Sequence, residues 1–188
     1  MKRAFVIITA IVFVISMVGT VFAADVNMKM VNWTANTVLA KYGMDKTIVK
    51  AVKAQNKKGL SLGYIKDTDR VWRGILDGTI AIQDDMMVSD CAKAAKAIVD
   101  SHDYLFEAFI MDNQGANVCM TDKTSDYWQG DEAKFTNSYN GGIGAVFVDE
   151  MEMDDGMKAN VTQVSVPVMD KGKAIGAITF GVNVDKLQ

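Results

Sequence analysis

The apolar residues of this chain form a continuous run first, then a helical repeat, and finally an alternating repeat. Residues 4–18 are almost wholly apolar and follow Lys2 and Arg3, and Val21-Phe22-Ala23 supplies the small residues that precede a signal-peptidase site. This pattern predicts a signal peptide over residues 1–23, cleaved after Ala23. The alternative is an uncleaved membrane anchor, because the apolar run approaches the roughly 20 residues that span a bilayer.

Helical spacing follows the apolar run. From Val31 to Gln55 apolar residues recur at intervals of three and four, with one glycine interruption, which predicts a long N-terminal helix. Shorter helices are predicted at Asp67–Leu76 and Ser89–Val99. Either Ser89 or Asp90 can cap the latter, because both side chains accept hydrogen bonds from the free N–H groups of a helix start.

After Ser101 the apolar period changes to two, which is typical of strands. Strands are predicted at Tyr104–Met111, Ala116–Thr121, Ala145–Met153, Ala159–Met169 and Lys173–Val184. Turn residues fit short hairpins after the first and fourth of these strands, and a short helix is predicted near Gly130–Tyr139. Helices followed by an antiparallel meander indicate an α+β fold. Residues 24–188 contain no linker or repeat, so a single domain is predicted.

Charge and motif content exclude several classes of function. Loss of residues 1–23 would change the formal net charge from −3 to −5, because that segment holds two basic residues and no acidic one. Nucleic acid is therefore excluded as a partner, since its binding needs clustered Lys and Arg. His102 is the only histidine, and no hydrolase, metalloprotease, P-loop or Rossmann motif occurs. The sequence predicts neither an enzyme nor a bound cofactor, and it places His102 at a helix-to-strand junction.

The two cysteines, Cys91 and Cys119, leave two possibilities open. An oxidising compartment would permit a disulfide between them. Two separate buried thiols are the alternative, because cysteine is often buried as a small apolar residue. The position of Cys119 inside a predicted strand favours separate thiols.

Polar residues interrupt the predicted strands. Alternation places Glu107 on one face of the first strand with Leu105, Phe109 and Met111, and Thr121 ends the polar face of the second. Such positions either face solvent on a one-sided sheet or line a site. A run of acids from Asp149 to Asp155 does not have the spacing of an EF-hand loop, so it is interpreted as a charged strand edge.

The most specific motif is Thr121–Phe135, which reads TDKTSDYWQGDEAKF. It resembles the loop after the second strand of bacterial PDC-type, or Cache, sensor domains, with their Thr-Ser-Asp-Tyr-Trp/Tyr-Gln-x-Asp-Glu core. Glu107–Val118 and Gln163–Ile178 resemble the first and last hairpins of that family, and Ala51–Asn56 resembles the end of its N-terminal helix. One departure is Gly156, where the family often has a serine.

The resemblance implies a PAS-like, five-stranded antiparallel sheet, flanked by a long N-terminal helix, with a ligand pocket between the sheet and the loop after the second strand. It implies a periplasmic sensor domain that binds a small molecule without changing it. Because the chain ends at Gln188, soon after the last predicted strand, we expect a free-standing domain, and a membrane receptor is one candidate partner for it. The alternative is an interaction or structural protein that docks on a receptor or assembly through the same fold.

Aromatic and acidic side chains in the loop suit an amine or an amino-acid-like ligand, through cation–π attraction and charge-assisted hydrogen bonds. The predicted ligand-binding residues are Asp126, Tyr127, Trp128, Asp131, Thr121, Thr124, Glu107, Trp72, Arg73 and Asp154. Structural roles are the alternatives: Asp131 and Glu132 can start the following helix, and Trp128 can anchor the core. Arg70 and Arg73 can clamp a carboxylate or lie solvated on a helix.

Overall fold

A computed structural model describes residues 27–75 and 78–187 of the chain. The predicted signal peptide and its cleavage after Ala23 lie outside these residues and stay predictions. Within the described ranges, no helix combines the length and the apolar content that a bilayer crossing requires.

The N-terminal helical region is interrupted rather than continuous. Helix α1 covers residues 27–34 and continues through a π-helical turn, Ala35–Leu39, and a 3-10 turn, Ala40–Met44. Helix α2, Lys46–Lys57, starts afresh because the Asp45 carboxylate accepts hydrogen bonds from the first free N–H groups of that helix. The prediction of one helix from Val31 to Gln55 is therefore wrong at this break.

Four further helices follow: α3, Leu62–Arg73; α4, Ala81–Val88; α5, Asp90–Asp100; and α6, Ala133–Tyr139. Helix α3 begins earlier than predicted, because the Ser61 hydroxyl accepts from the N–H of Tyr64 and caps the helix there. Helix α4 was not predicted, since its apolar residues do not form a helical stripe. Ser89, and not Asp90, caps α5 by accepting from the N–H of Ala92 at 3.1 Å.

One antiparallel sheet forms the centre of the fold. Its strands are β1, Leu105–Met111; β2, Asn117–Met120; β3, Phe147–Val148; β4, Glu152–Asp154; β5, Ala159–Asp170; and β6, Lys173–Asn183. Their order is β2-β1-β6-β5-β3, and β4 pairs with β5 beyond the end of β3. The α+β class is confirmed. The sheet has six strands rather than five, because the predicted third strand is divided between β3 and β4.

The sheet separates two layers of helices. The back layer contains α1, α2 and α5, and the front layer contains α3, α4, α6 and the loop between β2 and α6. A bulge between Leu105 and Glu107 turns Leu105 to the back layer, whereas Glu107 stays on the front side with Phe109. The prediction that Leu105 and Glu107 share a face is therefore wrong.

A disulfide joins Cys91 in the first turn of α5 to Cys119 in β2. Both residues are buried, and Cys119 points from the back of the sheet towards α5. The expectation of two separate thiols is wrong, because helix and strand bring the two α-carbons to 5.9 Å.

Candidate functional site

The loop that carries the family motif runs alongside the start of β2. The N–H of Asn117 donates to the carbonyl of Tyr127 at 2.9 Å, and the N–H of Gln129 donates to the carbonyl of Gly115 at 2.8 Å. Gly115 and Gly130 meet at this crossing, where a β-carbon on either would collide with the other segment. The glycines thus permit the loop to lie against the hairpin.

Asp69 of α3 fixes the centre of this loop. Its buried carboxylate accepts hydrogen bonds from the N–H groups of Tyr127, at 2.9 Å, and Trp128, at 3.1 Å, and pairs with Arg73 at 2.9 Å. The side chain is only 6% exposed, so these bonds form away from water. Asp69 was not predicted as a site residue, because its only local signal in the sequence is the arginine four residues later.

The inner side of the loop is packed against the sheet and α3. The rings of Trp72 and Tyr127 lie 5.6 Å apart between centroids and are 0% and 1% exposed. The indole N–H of Trp72 donates to the carbonyl of Thr124, whose hydroxyl accepts from Asn117. Three of the predicted ligand residues, Trp72, Thr124 and Tyr127, are thus engaged in the protein's own interior. Burial raises the pKa of Tyr127 to about 12, so its hydroxyl remains protonated.

Thr121 closes the edge between β1 and the start of the loop. Its hydroxyl accepts from the N–H of Ala108 at 2.9 Å, and its own N–H donates to the carbonyl of the same residue. The side chain therefore continues the pairing of β1 beyond the end of β2.

The outer side of the loop forms a cavity of about 460 Å³, which we call the loop cleft. It brings together four predicted ligand residues, Arg73, Asp126, Trp128 and Asp131, with Lys66, Asp69 and Glu132 beside them. The structure thus gathers the charged part of the motif on the surface of the domain, away from the sheet.

Several charged groups of the loop cleft already have partners within the protein. The Lys66 ammonium lies 4.5 Å from the ring centroid of Trp128, and the Arg73 guanidinium lies 3.7 Å from the Asp126 carboxylate. The indole N–H of Trp128 donates to the carbonyl of Gln114 at 2.8 Å. An external amine would have to displace Lys66 from the ring and compete with Arg73 for Asp126.

A second cavity, of about 490 Å³, opens on the front of the sheet, and we call it the acidic cleft. It contains the two other predicted ligand residues, Glu107 and Asp154. Five acidic side chains and one aromatic ring lie in its lining, together with aliphatic and neutral polar residues: Glu107, Asp149, Glu150, Glu152, Asp154 and Phe106. Gly181 of β6 permits this arrangement, because a β-carbon there would collide with Phe106 and Glu107.

Glu107 is the most enclosed acid of this cleft. Burial raises the pKa of its carboxyl above the ordinary value, and the positive charge of Lys134 and a hydrogen bond from Gln163 offset part of that effect. None of the described residues that line the acidic cleft is basic. The cleft therefore has a negative potential that Glu107 shares with four other carboxylates.

Lys134 lies near Glu107 of the acidic cleft and was not predicted as a site residue. Its ammonium is 2.9 Å from the Glu132 carboxylate and 5.4 Å from the ring centroid of Phe109, and its side chain is 14% exposed. Glu132 precedes α6 but makes no capping bond with its side chain. Both residues belong to the motif, so their presence was visible in the sequence, whereas the inward direction of the Lys134 side chain was not.

The remaining chemistry of the described residues is sparse. His102 lies between Tyr42, whose hydroxyl is 2.8 Å from its Nε2 atom, and the stacked ring of Tyr104. Among the described residues, no group of three or more His, Cys, Asp or Glu side chains is arranged to hold a metal ion.

Solved structures similar to this chain are sensory and ligand-binding domains of bacterial receptors. They are PDC/Cache-type domains, the family that the loop sequence resembles. Neither a family model nor a curated protein matches the sequence.

One such structure is the sensor domain of the Vibrio cholerae histidine kinase DctB, 12% identical over 92% of this chain and 58% of its own, with a TM-score of 0.41. Another is the sensory domain of the Campylobacter jejuni chemoreceptor Tlp3 with isoleucine bound, 13% identical over 86% of this chain and 64% of its own, with a TM-score of 0.40. A third is the ligand-binding domain of the Pseudomonas aeruginosa amino acid chemoreceptor PctC in complex with GABA, 13% identical over 74% of this chain and 58% of its own, with a TM-score of 0.43. This chain thus spans less than two thirds of each structure, and the similarity says nothing of its ligand.

Proposed function

We propose that this protein is an exported, non-catalytic sensor domain that reversibly binds a small molecule with an ammonium group in the acidic cleft. The observation that carries the proposal is the half-buried Glu107 carboxylate, which faces a cavity whose charged lining is entirely acidic. Export to the periplasm rests on the apolar N-terminal run and the small residues that end it.

The chemistry of the lining favours an amine. An ammonium group donates short, charge-assisted hydrogen bonds to carboxylates, and the Phe106 ring offers an additional cation–π contact. The cavity volume of about 490 Å³ lies within the range of small-molecule sites. An anionic ligand would be repelled by five carboxylates.

An amino acid would fit the acidic cleft in one orientation only. Its ammonium would face Glu107, and its carboxylate would have to reach Lys134, which is the basic group acting on Glu107. Lys134 is already paired with Glu132, so the carboxylate would compete with that ion pair. We therefore place simple amines ahead of amino acids as ligands.

Isothermal titration of the exported protein with ethylamine, putrescine, alanine and acetate tests the proposal. We expect the amines to bind and acetate not to bind. Glu107→Gln should weaken amine binding by at least tenfold, the effect of losing one charge-assisted hydrogen bond. Asp155→Asn is the matched control, because Asp155 is an exposed acid beside the cleft but outside its lining.

The affinity for an amine should also depend on pH. Only the ionised carboxylate of Glu107 attracts an ammonium, and burial raises the pKa of that carboxyl above 4.5. Amine binding should therefore weaken as the pH falls through this raised pKa, and Glu107→Gln should remove that part of the dependence. Binding that is lost in Asp126→Ala and kept in Glu107→Gln would assign the ligand to the loop cleft instead.

A second candidate function is docking on a membrane receptor or assembly through the same fold. It is supported by the packed inner side of the loop, where the buried Trp72, Tyr127 and Phe135 occupy the space between loop and sheet. A folded protein that binds none of the four probes would favour docking and contradict the proposal of an amine sensor.

A further inference from the structure

A third cavity, of about 330 Å³, lies at the edge of the sheet formed by β2, and we call it the edge pocket. It shares no lining residue with the acidic cleft, which is lined by β1, by β5 and by the segment around β4. Its walls come from the segment after α2, from α3, from α4 and from β2; Leu60, Ile82, Met86 and Val118 are their apolar side chains, and Tyr64 lies beside them. The volume is at the lower end of the range for small-molecule sites.

The floor of the edge pocket is polar and buried. Tyr127 is 1% exposed and Gln55 is 7% exposed, and both line the cavity. The Gln55 amide interacts with the Tyr127 hydroxyl and with the buried Asp112 carboxylate behind it. An apolar wall above a hydrogen-bonding floor suits a ligand with an aliphatic body and one polar end.

The charges around the edge pocket restrict which polar group the ligand can carry. The buried Asp112 carboxylate next to the floor would repel an anion. At the mouth, Lys58 and Asp85 are both exposed and carry opposite charges, so the rim favours neither sign. A neutral hydroxyl or amide, which can both donate and accept, matches Tyr127 and Gln55 without burying a charge.

We propose that the edge pocket is a second binding site, which takes a small uncharged molecule with a short aliphatic body and a hydroxyl or amide head. The head bonds to the Tyr127 hydroxyl and the Gln55 amide, and the body contacts the walls from α4 and β2. This site does not depend on amine binding in the acidic cleft.

Methyl-resolved NMR of the whole exported protein tests the site with isobutanol and isobutyramide as probes and isobutyrate as the anionic comparison. We expect the methyl signals of Ile82, Met86 and Val118 to shift with both neutral probes, and to shift much less with isobutyrate. The methyl signals of Val161, which lines the acidic cleft, should stay in place. Absence of shifts at the edge pocket, equal shifts with isobutyrate, or shifts confined to Val161 would overturn the proposal.

Tyr127→Phe isolates the hydroxyl, because the ring and its packing against Trp72 are kept. We expect it to weaken isobutanol binding by about fivefold, the effect of one neutral hydrogen bond. Tyr42→Phe is the matched control, since the Tyr42 hydroxyl bonds His102 in the back layer, and its affinity should equal that of the unaltered protein. Ile82→Trp should fill the pocket and abolish the shifts of Val118, with folding checked by the unchanged remainder of the spectrum. Unchanged binding in Tyr127→Phe, or in Ile82→Trp, would contradict the site.

Discussion

At the scale of single residues, Asp69 does most to hold the motif loop in place. Asp69→Ala removes the carboxylate that accepts hydrogen bonds from the backbone N–H groups of Tyr127 and Trp128. Both donors then lose this acceptor beside a packed core. Because each unsatisfied buried donor costs about 1–3 kcal/mol, we expect the free energy of unfolding to fall by about 3 kcal/mol. Urea unfolding followed by tryptophan fluorescence measures this change.

Asp67→Ala is the control for that experiment. Asp67 lies on the same helix and pairs with Arg70, but both side chains are about three-quarters exposed. An exposed ion pair contributes about 0–1 kcal/mol, so this variant should unfold almost as the unaltered protein does. Equal losses in the two variants would show that the buried carboxylate has no special role.

The sequence could indicate which residue types form the sites but not the direction in which they point. Glu107 and Asp154 were predicted as ligand residues, and both line the acidic cleft. Trp72 and Tyr127 were also predicted as ligand residues, yet their rings pack into the front layer. The difference arises from contacts between α3 and the loop, which are more than fifty residues apart in the chain and leave no local pattern.

At the scale of elements, local chemistry predicted most strands and fewer of the helix boundaries. Alternation identified β1, β2, β5 and β6 within a few residues of their observed ends. The break before α2 depends on the cap by Asp45 and on Gly43, where a β-carbon would collide with the carbonyl of Pro167 in β5. This close approach of helix and sheet is a tertiary requirement, so the helical period alone could not predict it.

The disulfide between α5 and β2 offers a test at the same scale. It closes a loop with a sequence separation of 28, and on the chain-entropy model such a link contributes about 3–4 kcal/mol. We expect the double variant Cys91→Ala, Cys119→Ala to lose at least this much in urea unfolding. A reductant should destabilise the unaltered protein and leave the double variant unchanged. Equal sensitivity of both proteins to the reductant would contradict a stabilising link.

At the scale of the whole molecule, the sheet separates an apolar, cross-linked side from the side that holds the acidic cleft. The back layer is apolar and carries the disulfide, whereas the acidic cleft is on the front and the edge pocket lies at the β2 edge. The α+β class followed from the order of periodicities along the chain. The cavities could not be predicted in the same way, because each is formed by elements that are distant in sequence.

The pH dependence of overall stability should reveal how the N-terminal region is attached to the sheet. The ring of His102 contacts Tyr42 and Tyr104, and so connects the turn before α2 with the start of β1. Burial and the positive charge of Lys41 lower the pKa of His102 below 6.5, and Asp103 opposes them only in part. As the pH falls from about 6.5, the unfolded chain therefore binds a proton before the folded protein does.

This order of protonation fixes the sign of the effect. The full contribution of His102 to stability is present above pH 6.5 and is lost as the pH falls through the lowered pKa of the folded protein. Melting temperatures measured between pH 5.5 and 7.5 should decrease towards acid for the unaltered protein and change less in His102→Asn. The range stops at pH 5.5 because carboxylates begin to titrate below it. A melting temperature that rises towards acid, or an equal slope in the variant, would mean that the imidazole is not held neutral between the two tyrosines.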